Sequence, residues 1–111
     1  MNIEEIRTFC KKLPGVTEDV KWGADLCFCI GEKMFCVVPL EGEYRITFKA
    51  GEEVFDELSI REGFMPAKYL ARAKWVTLND VSAVKRKELE GLIKHSYELI
   101  KAKLPKKALK K

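Results

Sequence analysis

Cysteine is the residue type whose spacing comes closest to a chemical site in this chain. Cys27 and Cys29 are separated by one residue, Cys36 follows shortly after, and Cys10 lies upstream. Zinc-binding cysteines usually come in pairs two to four residues apart on turns, whereas this pair lies inside an apolar segment. We therefore interpret the cysteines as reduced, buried thiols that pack like small hydrophobic residues, and we predict no metal site.

The single histidine, His95, leaves little material for acid–base catalysis. It falls on the flank of the last predicted helix, away from its apolar stripe, so we expect it to face solvent. Neighbouring carboxylates point in different directions on a helix, so we interpret three acidic pairs as solvated: Glu18-Asp19, Glu52-Glu53 and Asp56-Glu57. We predict no catalytic residue and no cofactor, hence no enzyme, since only a reactive thiol could support catalysis here.

Basic and aromatic side chains form a more promising group. Cations can meet phosphates while rings stack on bases or sugars. The candidate nucleic-acid-binding cations are Lys21, Lys49, Arg61, Lys68, Arg72 and Lys74, and the candidate aromatic contacts are Trp22, Tyr69 and Trp75. Burial in the core is the favoured interpretation of both tryptophans, and the sequence leaves contact with a ligand open as the alternative.

These candidates must be positioned by an α+β fold, an antiparallel sheet flanked by N- and C-terminal helices. Asn2 and Glu5 have the spacing of a helix start, and apolar residues recur at helical spacing along the last helix. The predicted elements are a helix at 3–13, a loop at 16–24, strands at 26–30, 33–38 and 44–49, a short helix at 52–58, a helical turn at 67–72, a strand at 74–78 and a helix at 86–103. In the strand 44–49, apolar residues alternate with Arg45, Thr47 and Lys49, which predicts one covered face and one facing water or a partner.

The length of the chain limits the number of domains, and its charge is unevenly distributed. Its 111 residues suit one domain, predicted at 1–104, followed by a basic and flexible tail at 105–111. Residues 1–60 carry a net charge of −5 (7 basic, 12 acidic) and residues 61–111 carry +9 (14 basic, 5 acidic), so attraction for an anionic partner must come from the second half. Without an export signal or an apolar span, we expect a cytoplasmic protein that does not bind membranes.

Several stretches together resemble one family. They are 13–23 (LPGVTEDVKWG), 26–36 (LCFCIGEKMFC), 61–72 (REGFMPAKYLAR), 74–76 (KWV) and 96–105 (SYELIKAKLP). The chain is similar to the MmcQ/YjbR family of small bacterial proteins, and the similarity covers nearly all of it. The resemblance implies a CyaY-like fold and DNA binding by analogy with a double-winged arrangement, and it supplies no catalytic or ligand-binding residues.

Two functional hypotheses follow from these observations. The first is a non-enzymatic DNA-binding protein that contacts the phosphate backbone through the basic residues of its C-terminal half. The alternative is a domain that binds an unidentified protein or a small ligand in a groove near Trp22 and Phe64-Met65.

Overall fold

A computed structural model describes residues 1–105, which form three α-helices and a six-stranded sheet. In chain order the elements are α1 (Ile3–Lys11), β1 (Val16–Lys21), β2 (Asp25–Ile30), β3 (Lys33–Pro39), β4 (Ile46–Lys49), α2 (Phe55–Ser59), β5 (Phe64–Pro66), β6 (Trp75–Leu78) and α3 (Arg86–Lys101). The strand order is β1-β2-β3-β4-β6-β5 with every pair antiparallel. The predicted α+β class, with helices flanking an antiparallel sheet, is confirmed.

The hydrophobic core lies between one face of the sheet and α3. The buried side chains of α3 follow the predicted helical spacing: Leu89, Ile93, Ser96, Tyr97 and Ile100. They pack against alternate strand residues such as Phe28, Phe48 and Val76. Burial of this apolar stripe stabilises α3 in the absence of a side-chain N-cap.

Helix α1 begins as its sequence predicts. The Asn2 side chain accepts a hydrogen bond from the Glu5 amide, and the Glu5 carboxylate accepts one from the Asn2 amide. This reciprocal cap satisfies two backbone donors that the first turn would leave unpaired. The buried Ile6 and Cys10 then attach α1 to the core.

Two strands were not predicted from the sequence. Val16–Lys21, expected to be a loop, is the edge strand β1, and it pairs with β2 over its whole length. Its charged residues are typical of an edge strand, which is why its pattern reads as a loop. Phe64–Pro66, expected to be a break, is the short edge strand β5 against β6. Both segments form strands because a neighbouring strand supplies the hydrogen bonds, which local propensity does not reveal.

Other boundaries differ by a few residues. The predicted strand at 44–49 begins at Ile46, the predicted short helix at 52–58 is α2, and the helical turn at 67–72 is a 3-10 turn at Ala71–Ala73. The basic tail predicted from Pro105 onward falls almost entirely on residues 106–111, which lie outside the described residues. Within residues 1–105, no helix has both the length and the apolar character needed to cross a membrane.

A β-bulge in the β2–β3 hairpin sets the two faces of β3. Phe28 lies opposite Cys36 and Cys29 lies opposite Met34, so Phe35 has no partner on β2. The Phe35 ring packs edge-on against Tyr97 of α3, with centroids 5.4 Å apart. One extra residue lets Met34 and Val37, three positions apart, both line the face opposite α3.

Candidate functional site: a groove on the open face of the sheet

The sheet face opposite α3 carries a groove of about 570 Å³, here called the open-face groove. Its floor consists of strand side chains that alternate with core residues: Asp25, Met34, Val37, Pro39, Thr47 and Thr77. Its rim consists of Trp22 in the β1–β2 turn, Arg45 before β4, and the turn residues Lys68, Tyr69 and Leu70. An apolar concavity with a few convergent polar groups is the usual form of a ligand site.

Two aromatic side chains stand exposed on this rim. Trp22 is 70% exposed and Tyr69 is 92% exposed. Both have left-handed backbones, with φ of 52° at Trp22 and 68° at Tyr69. For a bulky residue this conformation costs about 1–2 kcal/mol. An exposed ring held at such a cost is a reason to consider function.

Backbone hydrogen bonds hold Tyr69 in this conformation. The Leu70 amide donates to the Ala67 carbonyl at 3.2 Å, which closes a four-residue turn with Tyr69 at its third position. The Ala67 amide donates to the Trp75 carbonyl at 3.0 Å, which fixes the turn to β6. The Lys68 ammonium lies 5.5 Å from the centre of the Tyr69 ring, within the range of a cation–π interaction. The turn therefore presents a ring and a cation together.

The rim carries positive charge that no ion pair within residues 1–105 neutralises. Neither Arg45 nor Lys68 forms an ion pair with any residue from 1 to 105. By contrast, Arg7, Arg61 and Arg86 are each paired with glutamates. Arg45 is thus available to an anionic group entering the groove.

The floor combines hydroxyls with one carboxylate. The Oγ1 atoms of Thr47 and Thr77 lie 2.9 Å apart and share one hydrogen bond. Since each hydroxyl has one donor and two acceptor positions, the pair still has one donor and further acceptors to offer. Asp25 adds an acceptor at the β2 end of the groove.

The structure brings three of the predicted site residues together in the groove, namely Trp22, Lys68 and Tyr69. Arg72 is exposed on the adjacent 3-10 turn, and Lys21 ends β1 without lining the groove. The nine predicted residues therefore do not form one continuous surface around the groove.

The remaining predicted cations, Arg61, Lys74 and Lys49, do not line the groove. The two terminal guanidinium nitrogens of Arg61 donate to the Glu88 carboxylate, one of them at 2.8 Å, and these hydrogen bonds raise the pKa of Arg61 and lower that of Glu88. The Lys74 ammonium lies 4.9 Å from the centre of the Phe55 ring. Burial, followed by the neighbouring Lys103 ammonium, lowers the pKa of Lys49 to about 8. Of these three cations, Arg61 is less available to phosphates than sequence alone indicates, because Glu88 neutralises it.

Two predictions about site residues need correction, one on Trp75 and one on Phe64-Met65. Trp75 is only 4% exposed and belongs to the core, so its ring cannot stack on a ligand. The groove lies near Trp22 as the alternative hypothesis placed it, but Phe64 is buried and Met65 does not line it. Met65 lies on the edge strand β5 as the cross-strand partner of the floor residue Thr77, so it is next to the groove without lining it.

The four cysteines are free thiols and all are buried, as predicted. Burial raises the pKa of Cys27 to about 11 and raises that of Cys29. A hydrogen bond with Cys10, followed by burial, raises the pKa of Cys36. Thiols with raised pKa values are poor nucleophiles at neutral pH. His95 is exposed, as predicted, and residues 1–105 contain no cluster of three potential metal ligands.

Arg45 is the rim residue that sequence reasoning missed as a site residue. Its signal was the alternation of Arg45, Thr47 and Lys49 with core residues, which predicted the uncovered face but not a groove upon it. Asp25 gave no such signal, because only the turn at Trp22 and the path of β3 bring it beside the others.

Comparisons with known proteins address the family and the fold. The model of the YjbR family matches residues 11–99. A solved Deinococcus radiodurans protein with a DUF419 domain is 24% identical, with a TM-score of 0.83 over 92% of this chain and 80% of its own. A Pseudomonas syringae protein is 20% identical, with a TM-score of 0.73 over 89% of this chain and 98% of its own. No curated protein gives a significant match. Because the family model spans most of the sequence, the chain belongs to the YjbR family.

Proposed function

We propose that this protein is a non-enzymatic binding domain whose ligand occupies the open-face groove. The observation that carries the proposal is the pair of exposed rings, Trp22 and Tyr69, held in left-handed conformations on the rim of one groove. Two cations without an ion-pair partner among the described residues, Arg45 and Lys68, favour a ligand that carries negative charge.

The test uses 1-anilinonaphthalene-8-sulfonate, a fluorescent probe that combines fused aromatic rings with one anionic group. We expect saturable binding, with the largest ¹H–¹⁵N chemical-shift changes at the Trp22 indole and at the Tyr69 and Leu70 amides. Trp22→Ala should weaken binding, whereas Ile60→Ala should not, because Ile60 is 88% exposed and outside the groove. Shift changes centred elsewhere, or equal affinity in Trp22→Ala, would contradict the proposal.

DNA binding through phosphate contacts is the second candidate function. It is supported by the +9 charge of residues 61–111 and by Lys68 and Arg72, which are exposed on neighbouring turns without an ion pair inside residues 1–105. Residues 1–105 carry 17 basic and 17 acidic side chains, since four of the 21 basic residues lie beyond Pro105. Attraction for a polyanion must therefore be local rather than global.

Fluorescence anisotropy of labelled single- and double-stranded DNA across a salt series tests this second candidate. The comparison protein is the full chain with Lys106, Lys107, Lys110 and Lys111 changed to glutamine. Binding that persists in this variant, with a log–log salt slope of several phosphate contacts, would support backbone recognition by the domain. Binding that disappears with the four lysines would assign it to the C-terminal charge alone.

A further inference from the structure

We infer that the open-face groove is built for a nucleotide, a planar ring that bears N–H donors and is linked to a phosphate. This inference rests on the proposed binding function and specifies the class of ligand. The same chemistry occurs in a free nucleotide and in an unstacked nucleotide of a single strand. The two sources are separated by the experiment below.

The rings supply the first part of the argument. Trp22 and Tyr69 come from turns far apart in sequence, and the structure places both on one groove. Neither ring is buried by the protein, so a ligand can cover the Trp22 ring and the part of the Tyr69 ring that the Lys68 ammonium leaves free. Base stacking on an aromatic side chain is worth about 5- to 150-fold in affinity, since alanine substitution typically costs about 1–3 kcal/mol per base.

The cations supply the second part. Arg45 and Lys68 lie on the same rim as the rings, and neither is neutralised by a carboxylate of residues 1–105. A guanidinium presents a planar fork of donors that matches phosphate oxygens. An anion attached to a ring can therefore reach a cation while the ring stays on the aromatic side chain.

Asp25 in the groove disfavours a ligand that carries only negative charge. A carboxylate in the groove repels anions but accepts hydrogen bonds from N–H groups. The hydroxyls of Thr47 and Thr77 add acceptors and one donor to the same floor. Nucleobases with amino or imino groups offer such donors, and their phosphates offer the negative charge. The groove volume of about 570 Å³ is within the range of small-ligand sites.

The experiment measures the binding of four probes to the full-length protein by NMR shift titration at constant ionic strength. AMP carries both ring and phosphate, adenosine lacks the phosphate, ribose 5-phosphate lacks the ring, and L-tryptophan offers a ring with an ammonium and a carboxylate. We expect AMP to bind about tenfold or more tighter than each of the other three. AMP within threefold of ribose 5-phosphate, or tighter binding of L-tryptophan, would overturn the inference.

Two variants connect the preference to the named residues. Trp22→Ala should remove most of the preference for AMP over ribose 5-phosphate, and Arg45→Gln should remove most of the preference for AMP over adenosine. Ile60→Ala, which changes an exposed apolar residue outside the groove, should leave both ratios unchanged. Ratios that survive Trp22→Ala and Arg45→Gln would show that AMP binds elsewhere and overturn the inference.

A ten-residue single-stranded oligoadenylate distinguishes the two sources. Binding more than tenfold tighter than AMP, with shifts at the same groove residues, supports the inference with a single strand as the source. Equal or weaker binding supports it with a free nucleotide as the source. If the naphthalenesulfonate probe binds the groove while AMP does not, the nucleotide assignment fails and the proposed function stands.

Discussion

Replacement of Tyr69 should reverse the usual order of stability between alanine and glycine. At most exposed positions glycine is less stable than alanine by about 0.5–1 kcal/mol, because it gains more freedom in the unfolded chain. At φ of 68°, however, alanine retains the left-handed penalty of about 1–2 kcal/mol, from which glycine is free. Because the Tyr69 side chain is 92% exposed, little burial is lost in either variant.

The balance gives Tyr69→Gly an advantage of about 0.5–1 kcal/mol over Tyr69→Ala. For a domain of this size that difference corresponds to a rise in Tm of roughly 2–4 °C. Urea unfolding and thermal unfolding of both variants measure it directly. The control is Ile60, which is also exposed but has a φ of −101°, so Ile60→Ala should be more stable than Ile60→Gly.

The reasoning would be refuted if Tyr69→Ala equalled or exceeded Tyr69→Gly in stability. That result would mean that the turn does not hold Tyr69 in a left-handed conformation in solution. The protein would then hold no strained aromatic side chain at this position on the groove rim. Both variants should lose affinity for ring-containing ligands, whatever their stability.

Three further outcomes follow from the structure. Ser96→Ala should lower the unfolding free energy by about 1–3 kcal/mol in a urea titration, because the buried hydroxyl donates to the Phe35 carbonyl and accepts from the Lys49 amide. The control is Thr8→Ala, which removes an exposed hydroxyl on α1 and should lower it by less than about 0.5 kcal/mol. Gly63→Ala should destabilise the protein by about 1–3 kcal/mol, since the new Cβ would lie 2.5 Å from that of Ala83 at a φ of +90°. Gly91→Ala, in open space on α3, should stabilise the protein by up to about 1 kcal/mol. The pKa of Lys49 is lowered to about 8 from 10.5, so its charged form opposes folding at neutral pH, and this destabilisation disappears as pH rises from about 8 to above 10.5. Lys49→Met should therefore have a higher unfolding free energy than the parent at pH 7, with a difference that narrows over that pH range. A difference that stays constant in pH-dependent unfolding experiments would contradict the lowered pKa.

Elements with a local, periodic sequence signal could be predicted without the structure. The spacing of Leu89, Ile93, Tyr97 and Ile100 defines α3, because a helix returns to the same face about every 3.6 residues. The reciprocal cap of Asn2 and Glu5 is likewise a contact between residues three apart. The family similarity also rests on sequence, and the model match over residues 11–99 confirms it.

Only the tertiary structure decided which of these residues share a surface. Val16–Lys21 is a strand because β2 supplies its partners, and Met34 and Val37 share a face because of the unpaired Phe35. Trp22 and Trp75 both follow a lysine, yet one ring is exposed on a turn and the other is buried in a strand. Burial and ion pairing depend on residues that are distant in sequence. A prediction from charge and residue type alone therefore included Arg61, which Glu88 neutralises, and omitted Arg45, which lines the groove.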